Sequence, residues 1–407
     1  MTRSSPARKN ETFRLLYSLA FLGAHLAFMP LLLLLLPRRV ETLVRDQPTS
    51  ALSMLLIVGA FTASVAHVVA GHASDRWLAR HGDRRVPIAV GLSLLMASYA
   101  GLAAASSLAL LALALVAFQA ALNIMFAPLG ALLADHVDDR NKARTAAWLT
   151  LSLPLSIAIS GPIATLFPQD GSAAFAAVAL LIALCIVPLL VLWPVTVQPA
   201  PAGDDPRHAA STPLPLADFR RAWIARFLVQ CGAALIIFYL YVYLRQLPPS
   251  AGVPDPLSRA LSTLVSVGGV AGAAAAFLMG QLSDRLQQRR WPIATSGVLA
   301  AGGLLLLAVQ PGWPLIVTGY AIFSAGLIAF LSTDSAMIAQ MLGNHPSRGR
   351  WLGIMNLTNT IPAIVTPTLT LLALQIASGS AIRFLLVSAA MGALLAAHLI
   401  IRVSSIR

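Results

Sequence analysis

Twelve apolar runs follow one another along this chain of 407 residues, with only short polar turns between most of them. Each approaches the roughly 20 apolar residues that a helix needs to cross a bilayer. They lie near 13–36, 50–73, 87–105, 107–134, 145–167, 172–197, 222–244, 258–282, 292–309, 313–341, 351–377 and 380–402. No water reaches the bilayer core to pair with backbone N–H and C=O groups, so such runs must satisfy them internally as helices. The chain is therefore expected to be an all-α integral membrane protein with twelve transmembrane helices. Composition agrees: 58% of residues are hydrophobic and 11% charged, against about 25% charged in soluble domains. A net charge of +13 would suggest nucleic acid in a soluble protein. Here the cations cluster in the turns, where they set orientation instead, so no nucleic-acid partner is expected.

The turns differ sharply in charge. Of the 28 Lys and Arg, 21 fall on the side of the N-terminus; six fall on the other, at Arg38, Arg39, Arg45, Arg245, Arg259 and Arg383; Arg226 lies inside a span. Cytoplasmic turns are the Lys- and Arg-rich ones, so both termini are expected in the cytoplasm, with a plasma (bacterial inner) membrane as the location. The first run is too long for the apolar part of a signal peptide. Pro37-Arg38-Arg39 follows it in place of a small-residue cleavage site, so it is expected to remain as a helix. The stretch 198–221 carries Pro199, Pro201, Gly203, Pro206, Pro213 and Pro215 and reads as a cytoplasmic linker. It divides a six-helix bundle at 13–197 from a second at 222–402, with tails at 1–12 and 403–407. Cys185 and Cys231 sit in apolar runs and read as small hydrophobes.

One charged turn occurs twice. Gly71-His72-Ala73-Ser74-Asp75-Arg76, leading to Arg84-Arg85-Val86-Pro87, returns as Gly280-Gln281-Leu282-Ser283-Asp284-Arg285, leading to Arg289-Arg290-Trp291-Pro292. The pairs Arg84/Arg289, Pro87/Pro292, Phe118/Phe323 and Pro162/Pro367 are all 205 residues apart, whereas Gly71/Gly280 and Asp75/Asp284 are 209 apart. Matches in charged turns at a near-constant offset point to a duplicated six-span unit, an arrangement common among transporters.

The pattern Gly71-x3-Asp75-Arg76-x3-Arg80-x-Gly82-x-Arg84-Arg85, following the second of twelve spans, resembles the signature turn of the major facilitator superfamily. The resemblance covers residues 13–402. It implies two six-helix bundles that rock around a central site built mainly from helices 1, 4, 7 and 10. It also implies that Asp75 meets the start of helix 11 near Trp351, and by symmetry that Asp284 meets the start of helix 5 near Thr145. The two acids are thus expected to form a cytoplasmic latch, with Gly71 and Gly280 allowing close helix approach and the carboxylates accepting from helix N-termini. The alternative is a set of solvated turn charges. Arg84, Arg85, Arg289 and Arg290 are read as topology determinants and headgroup contacts. A looser likeness to glycoside–cation symporters and sucrose-type carriers rests on Val86-Pro87-Ile88 after the turn, and on Gly349-Arg350-Trp351-Leu352-Gly353-Ile354-Met355-Asn356 with Asn359-Thr360-Ile361-Pro362. His81 and Asp83 depart from that pattern. Gly161-Pro162 resembles the start of an antiporter motif whose further glycines are missing, so Pro154, Pro162, Pro362 and Pro367 are read as flexible points in helices 5 and 11.

Ionisable and amide groups at membrane depth are costly and are candidates for the transport pathway. Asp334 lies about seven residues, roughly 10 Å, from the inner end of helix 10. Ser332, Thr333 and Ser335 are its expected hydrogen-bond partners, and a carboxyl in apolar surroundings can carry a proton. Arg226 and Gln230 share a face of helix 7 and could bind a carboxylate or sugar hydroxyls, although Arg226 could equally snorkel to headgroups. Gln119 and Asn123 share a face of helix 4, and Asn356 and Asn359 lie together on helix 11; both pairs read either as cavity amides or as packing contacts. His25, His67 and His398 read as packing, with His25 the best placed for the pathway. Tyr239 and Tyr243 share a face and fit an interfacial aromatic belt, with Tyr239 also a candidate for the transport pathway.

No phosphate-binding loop, metal cluster or nucleophilic triad is found, so no cofactor, no metal and no enzymatic activity are expected. The reading is a secondary carrier working by alternating access as a monomer, with a small-molecule substrate, the lipid bilayer and a coupling proton (another cation is possible) as partners. A sugar or glycoside is favoured by the resemblance. Efflux of drug-like or metabolite compounds is the alternative within transport, and a non-transporting membrane sensor is the alternative of another class.

Overall fold

The computed structural model describes residues 6–137, 145, 148–149, 151–167, 171–193, 215–286, 288–309, 312–342, 348–376 and 380–404. The turn charges Asp138, Asp139, Arg140, Lys142 and Arg144, and the side chain of Asp284, lie outside the described residues. The chain forms two compact units, Met1–Gly203 and Asp204–Arg407.

The first unit contains α1 (Pro6–Leu26), α2 (Leu36–Leu43), α3 (Pro48–His81), α4 (Arg85–Ala104), α5 (Leu108–His136), α6 (Ser152–Leu166) and α7 (Ser172–Val191). The second contains α8 (Leu216–Arg245), α9 (Leu257–Leu286), α10 (Arg290–Val309), α11 (Trp313–Leu342), α12 (Arg348–Thr360), α13 (Pro362–Ile376) and α14 (Ala381–Ile401). Among the described residues eleven helices are long and apolar enough to cross a membrane, and Ser152–Ile163 is a shorter apolar helix. Phe61, Phe277 and Phe384 are each at least 60% exposed, as befits side chains whose solvent is lipid.

Several helices run past their apolar runs. The first span extends to Leu43 and is interrupted before Pro30, which lacks the N–H that would bond Leu26. A π-helical turn, Leu31–Leu35, follows, and the Tyr99 hydroxyl donates to the Ala27 carbonyl at 2.5 Å. Arg38 and Arg39, expected in an outer turn, are therefore on α2. Arg38 donates to the Phe167 carbonyl at 3.0 Å, and Arg39 donates to the carbonyls of Ala103 and Ala105, satisfying the C-terminus of α4. The duplicated turn is also mostly helix: Gly71 to His81 belong to α3, and only at Gly82, with φ +78°, does the chain turn. That left-handed backbone is why glycine is needed there. Helix α8 begins at Leu216, so the linker ends earlier than expected.

Tight helix pairs form at small residues. A Cβ at Gly91 of α4 would fall on the Met125 backbone of α5, and Cβ atoms at Gly303 and Gly326 would fall on the backbones of Phe323 and Ala300 between α10 and α11. At the repeat offset, Gly91 corresponds to Ser296 and Ser98 to Gly303, so both halves keep these crossings small. At Gly71 and Gly280 a Cβ meets no described atom within 4 Å, so the expected close packing there is not found. Of the prolines read as flexible points, Pro362 separates α12 from α13, whereas Pro154 and Pro162 lie within α6 and Pro367 within α13.

Candidate substrate and coupling site

The second unit gathers most of the polar candidates. Arg226 on α8 points to α11 and donates through Nη1 to Asp334 Oδ2 at 2.8 Å. Its guanidinium therefore does not snorkel; its side chain is 15% exposed and that of Asp334 0%. The hydroxyls expected to serve Asp334 bond elsewhere: Thr333 donates to the Ala329 carbonyl and Ser335 to the Leu331 carbonyl. One helical turn beyond Arg226, Gln230 Nε2 donates to Asn359 Oδ1 at 2.6 Å, and Asn359 Nδ2 donates to Asn356 Oδ1 at 2.9 Å. Asn356 and Asn359 are exposed, and an exposed amide ladder at membrane depth suits a water-filled path rather than lipid. Trp223 fixes the approach of α12 to α8 by donating to the Ile354 carbonyl at 2.8 Å.

Tyr239 and Tyr243 do not form an interfacial belt. Tyr239 is 1% exposed and Tyr243 3%, and the Tyr243 hydroxyl donates to the Leu307 carbonyl of α10. Both line a small apolar cavity with Leu235, Leu240, Leu307 and Leu386, which makes Tyr239 a packing residue.

In the first unit, His67 Nδ1 meets Asn123 Oδ1 at 3.0 Å, and Asn123 Nδ2 donates to the Gln119 carbonyl at 2.8 Å. His67 thus joins the helix-4 amides, a pairing 56 residues apart that no local spacing announces. His25 Nδ1 meets the Phe21 carbonyl at 2.9 Å, and its ring packs among Phe21, Phe28 and Phe126 with centroids 5.1–5.6 Å away.

The signature residues form a separate construction. After the Gly82 turn, Arg84 folds back under α3. Its Nη2 reaches Asp75 Oδ1 at 2.8 Å, its Nε reaches Asp135 Oδ2 on α5 at 2.6 Å, and its Nη1 donates to Ser74 Oγ at 2.7 Å. Arg84 is 5% exposed; it is a buried tie between helices, not a headgroup contact. Burial works against its charge, but the hydrogen bonds it donates to Asp135 and Asp75 outweigh this and hold its pKa above the usual guanidinium value. Asp83 Oδ1 accepts from the Arg85 N–H at 3.1 Å, at the start of α4. Arg76, Arg80 and Arg85 are not buried.

The second copy is built differently. Arg289, the repeat of Arg84, donates to Gln340 at 3.2 Å, and Gln340 stands 205 residues after Asp135. An amide thus replaces the carboxylate at the same crossing. Arg290 donates to the Val403 carbonyl at 3.0 Å, while Arg285 is exposed. The two turns are equivalent in position, and at this crossing the second has an amide where the first has a carboxylate.

The whole chain superposes on solved transporters. A bacterial homolog of the human lysosomal transporter Spinster, inward-facing and occupied, gives a TM-score of 0.71 at 15% identity over 100% of this chain and 98% of that one. An auto-inhibited POT-family peptide transporter gives 0.70 at 13% identity over 97% and 96%. At these identities the likeness is one of fold. No curated protein matches the chain. The family model of the Major Facilitator Superfamily matches residues 15–367, and this chain belongs to that superfamily of multi-pass secondary transporters.

Proposed function

We propose that this transporter couples the movement of a small polar solute, of the sugar or glycoside kind, to a proton. The observation that carries the reading is the Arg226–Asp334 pair, buried at membrane depth and one helical turn from the amides of Gln230, Asn359 and Asn356. A carboxylate held there by one cation is the natural proton site, and amides bind hydroxyls. The charge bias of the turns supports a cytoplasmic position for the duplicated turn, in a plasma or inner membrane, with the carrier working as a monomer.

Asp75 and Asp284 are proposed to be latch residues on that side. Asp75 spends one oxygen on Arg84 while 71% of its side chain stays exposed, which leaves it free to engage and release a further partner.

Reconstituted protein tests the main reading. Uptake of labelled sugars into proteoliposomes is expected to rise when the outside is made acidic, and Asp334→Asn is expected to abolish that rise. Uptake indifferent to the pH gradient refutes proton coupling; a sugar panel in which nothing moves or competes refutes the solute class.

A further inference from the structure

The Arg226–Asp334 pair is only half made. One guanidinium nitrogen meets one carboxylate oxygen, and both Arg226 Nε and Asp334 Oδ1 are buried without a hydrogen-bond partner among the described residues. A fork-to-fork pair would satisfy both groups. Asp334 is also closed off, at 0% exposure, while the Arg226 side chain keeps 15%. A solute can therefore touch the guanidinium without touching the carboxylate.

The other charged groups on the helices packed against α11 are engaged elsewhere or lie at helix ends. On α9, Arg259 at the start donates to the Asp255 carbonyl and Arg285 is exposed at the other end. Arg290, at the start of α10, donates to Val403. On α8, Asp218 and Arg221 pair with each other near its start. Arg226 is the cation that meets Asp334.

We propose that this site takes a small polyhydroxylated carboxylate, a sugar acid, and that each bound anion places one proton on Asp334. The inference deepens the proton-coupled reading above and rests on it. The solute carboxylate takes the guanidinium, for which Arg is the suited partner, and its hydroxyls meet Gln230, Asn359 and Asn356. Asp334 then loses its cation. A buried carboxylate without a partner is strongly disfavoured, so it binds a proton and becomes a neutral carboxylic acid. Before binding, the site holds one positive and one negative charge. After binding it holds the guanidinium, the solute anion and a neutral Asp334. One proton enters with one anion, and the site's net charge is unchanged.

The test uses the full-length protein in proteoliposomes loaded with a pH dye. Gluconate and glucuronate are compared with glucose and sucrose under an imposed pH gradient and, separately, an imposed membrane potential. The expected result is uptake of the acids with one proton each, insensitive to potential, and accumulation of about tenfold per unit of pH gradient, as one proton per anion requires. Asp334→Asn is expected to keep acid-for-acid exchange and lose proton movement, which also shows that the variant is folded. If neutral sugars move with protons and the acids neither move nor compete, the sugar-acid site is overturned while the proton-coupled reading stands. Acid uptake that responds to potential overturns the one-to-one exchange. Transport of either class without proton movement overturns both readings, as does a panel in which no solute moves.

Discussion

Arg84 and Arg85 are adjacent, equally charged and on the same side of the membrane, yet the structure gives them different work. Replacing Arg84 with Met keeps an unbranched stem and removes three hydrogen bonds. Bonds to charged groups contribute about 1.5–3 kcal/mol each. The bond to Asp75 must be discounted because that carboxylate is 71% exposed, and an exposed pair contributes about 0–1 kcal/mol. Asp135 is 23% exposed and Ser74 2%, so these two bonds carry most of the effect. A net loss of about 3 kcal/mol follows once the packing of the Met is allowed for. For a unit of this size that corresponds to a fall of roughly 6–12 °C in melting temperature. Arg85 is exposed, and Arg85→Met should stay within about 0.5 kcal/mol. The assay is tryptophan fluorescence during thermal unfolding of detergent-purified protein, wild type beside the two variants. Equal shifts for Arg84→Met and Arg85→Met would refute the buried tie and return both residues to a purely topological role.

Other consequences are open to the same kind of measurement. Gly303→Ala forces a Cβ onto the backbone of Phe323 and should lower stability by about 1–3 kcal/mol, whereas Gly302→Ala, with nothing within 4 Å, should raise it by about 0.5–1 kcal/mol; matching effects would contradict the α10–α11 crossing. Asp75→Asn should slow net transport while leaving solute affinity from the opposite side within about twofold, below 0.5 kcal/mol; an unchanged transport rate would sink the latch. His136 stacks on Phe13 and meets Trp193 edge-on, and burial lowers its pKa below the usual imidazole value. Its contribution to stability is therefore full at neutral pH, falls as the pH drops through about 6.5, and levels off below the folded-state pKa. His136→Phe should remove that acid-side loss from melting curves taken across pH.

Much of the architecture was legible in one dimension. The number of spans, the two six-span units and the duplicated turn came from apolar length and charge, which are properties of contiguous residues. The ends of helices were less legible: the charged residues from Asp75 to His81 looked like a turn and are helix, because a helix can leave the apolar layer without breaking until Gly82 stops it. The site was legible as a set of polar positions but not as an arrangement. Arg226 looked ready to snorkel towards Arg220 and Arg221, and Tyr239 looked interfacial. Which way a side chain faces on a long, nearly uniformly apolar helix depends on its neighbours, and periodicity is weak when both lipid and core are apolar.

By itself the sequence determined that this chain must cross a membrane repeatedly as helices, with an internal duplication and a strong bias of positive charge to one side. Apolar length and turn charge act locally and suffice for that. Only the tertiary structure decided that Arg84 is a buried tie between Asp75 and Asp135, that its repeat at Arg289 meets an amide, and that Arg226 belongs to Asp334. Asp135 stands 51 residues from Arg84, and Asp334 108 residues from Arg226. The cost of leaving a charge unpaired at depth demands some partner, and the packing of the helices selects which one.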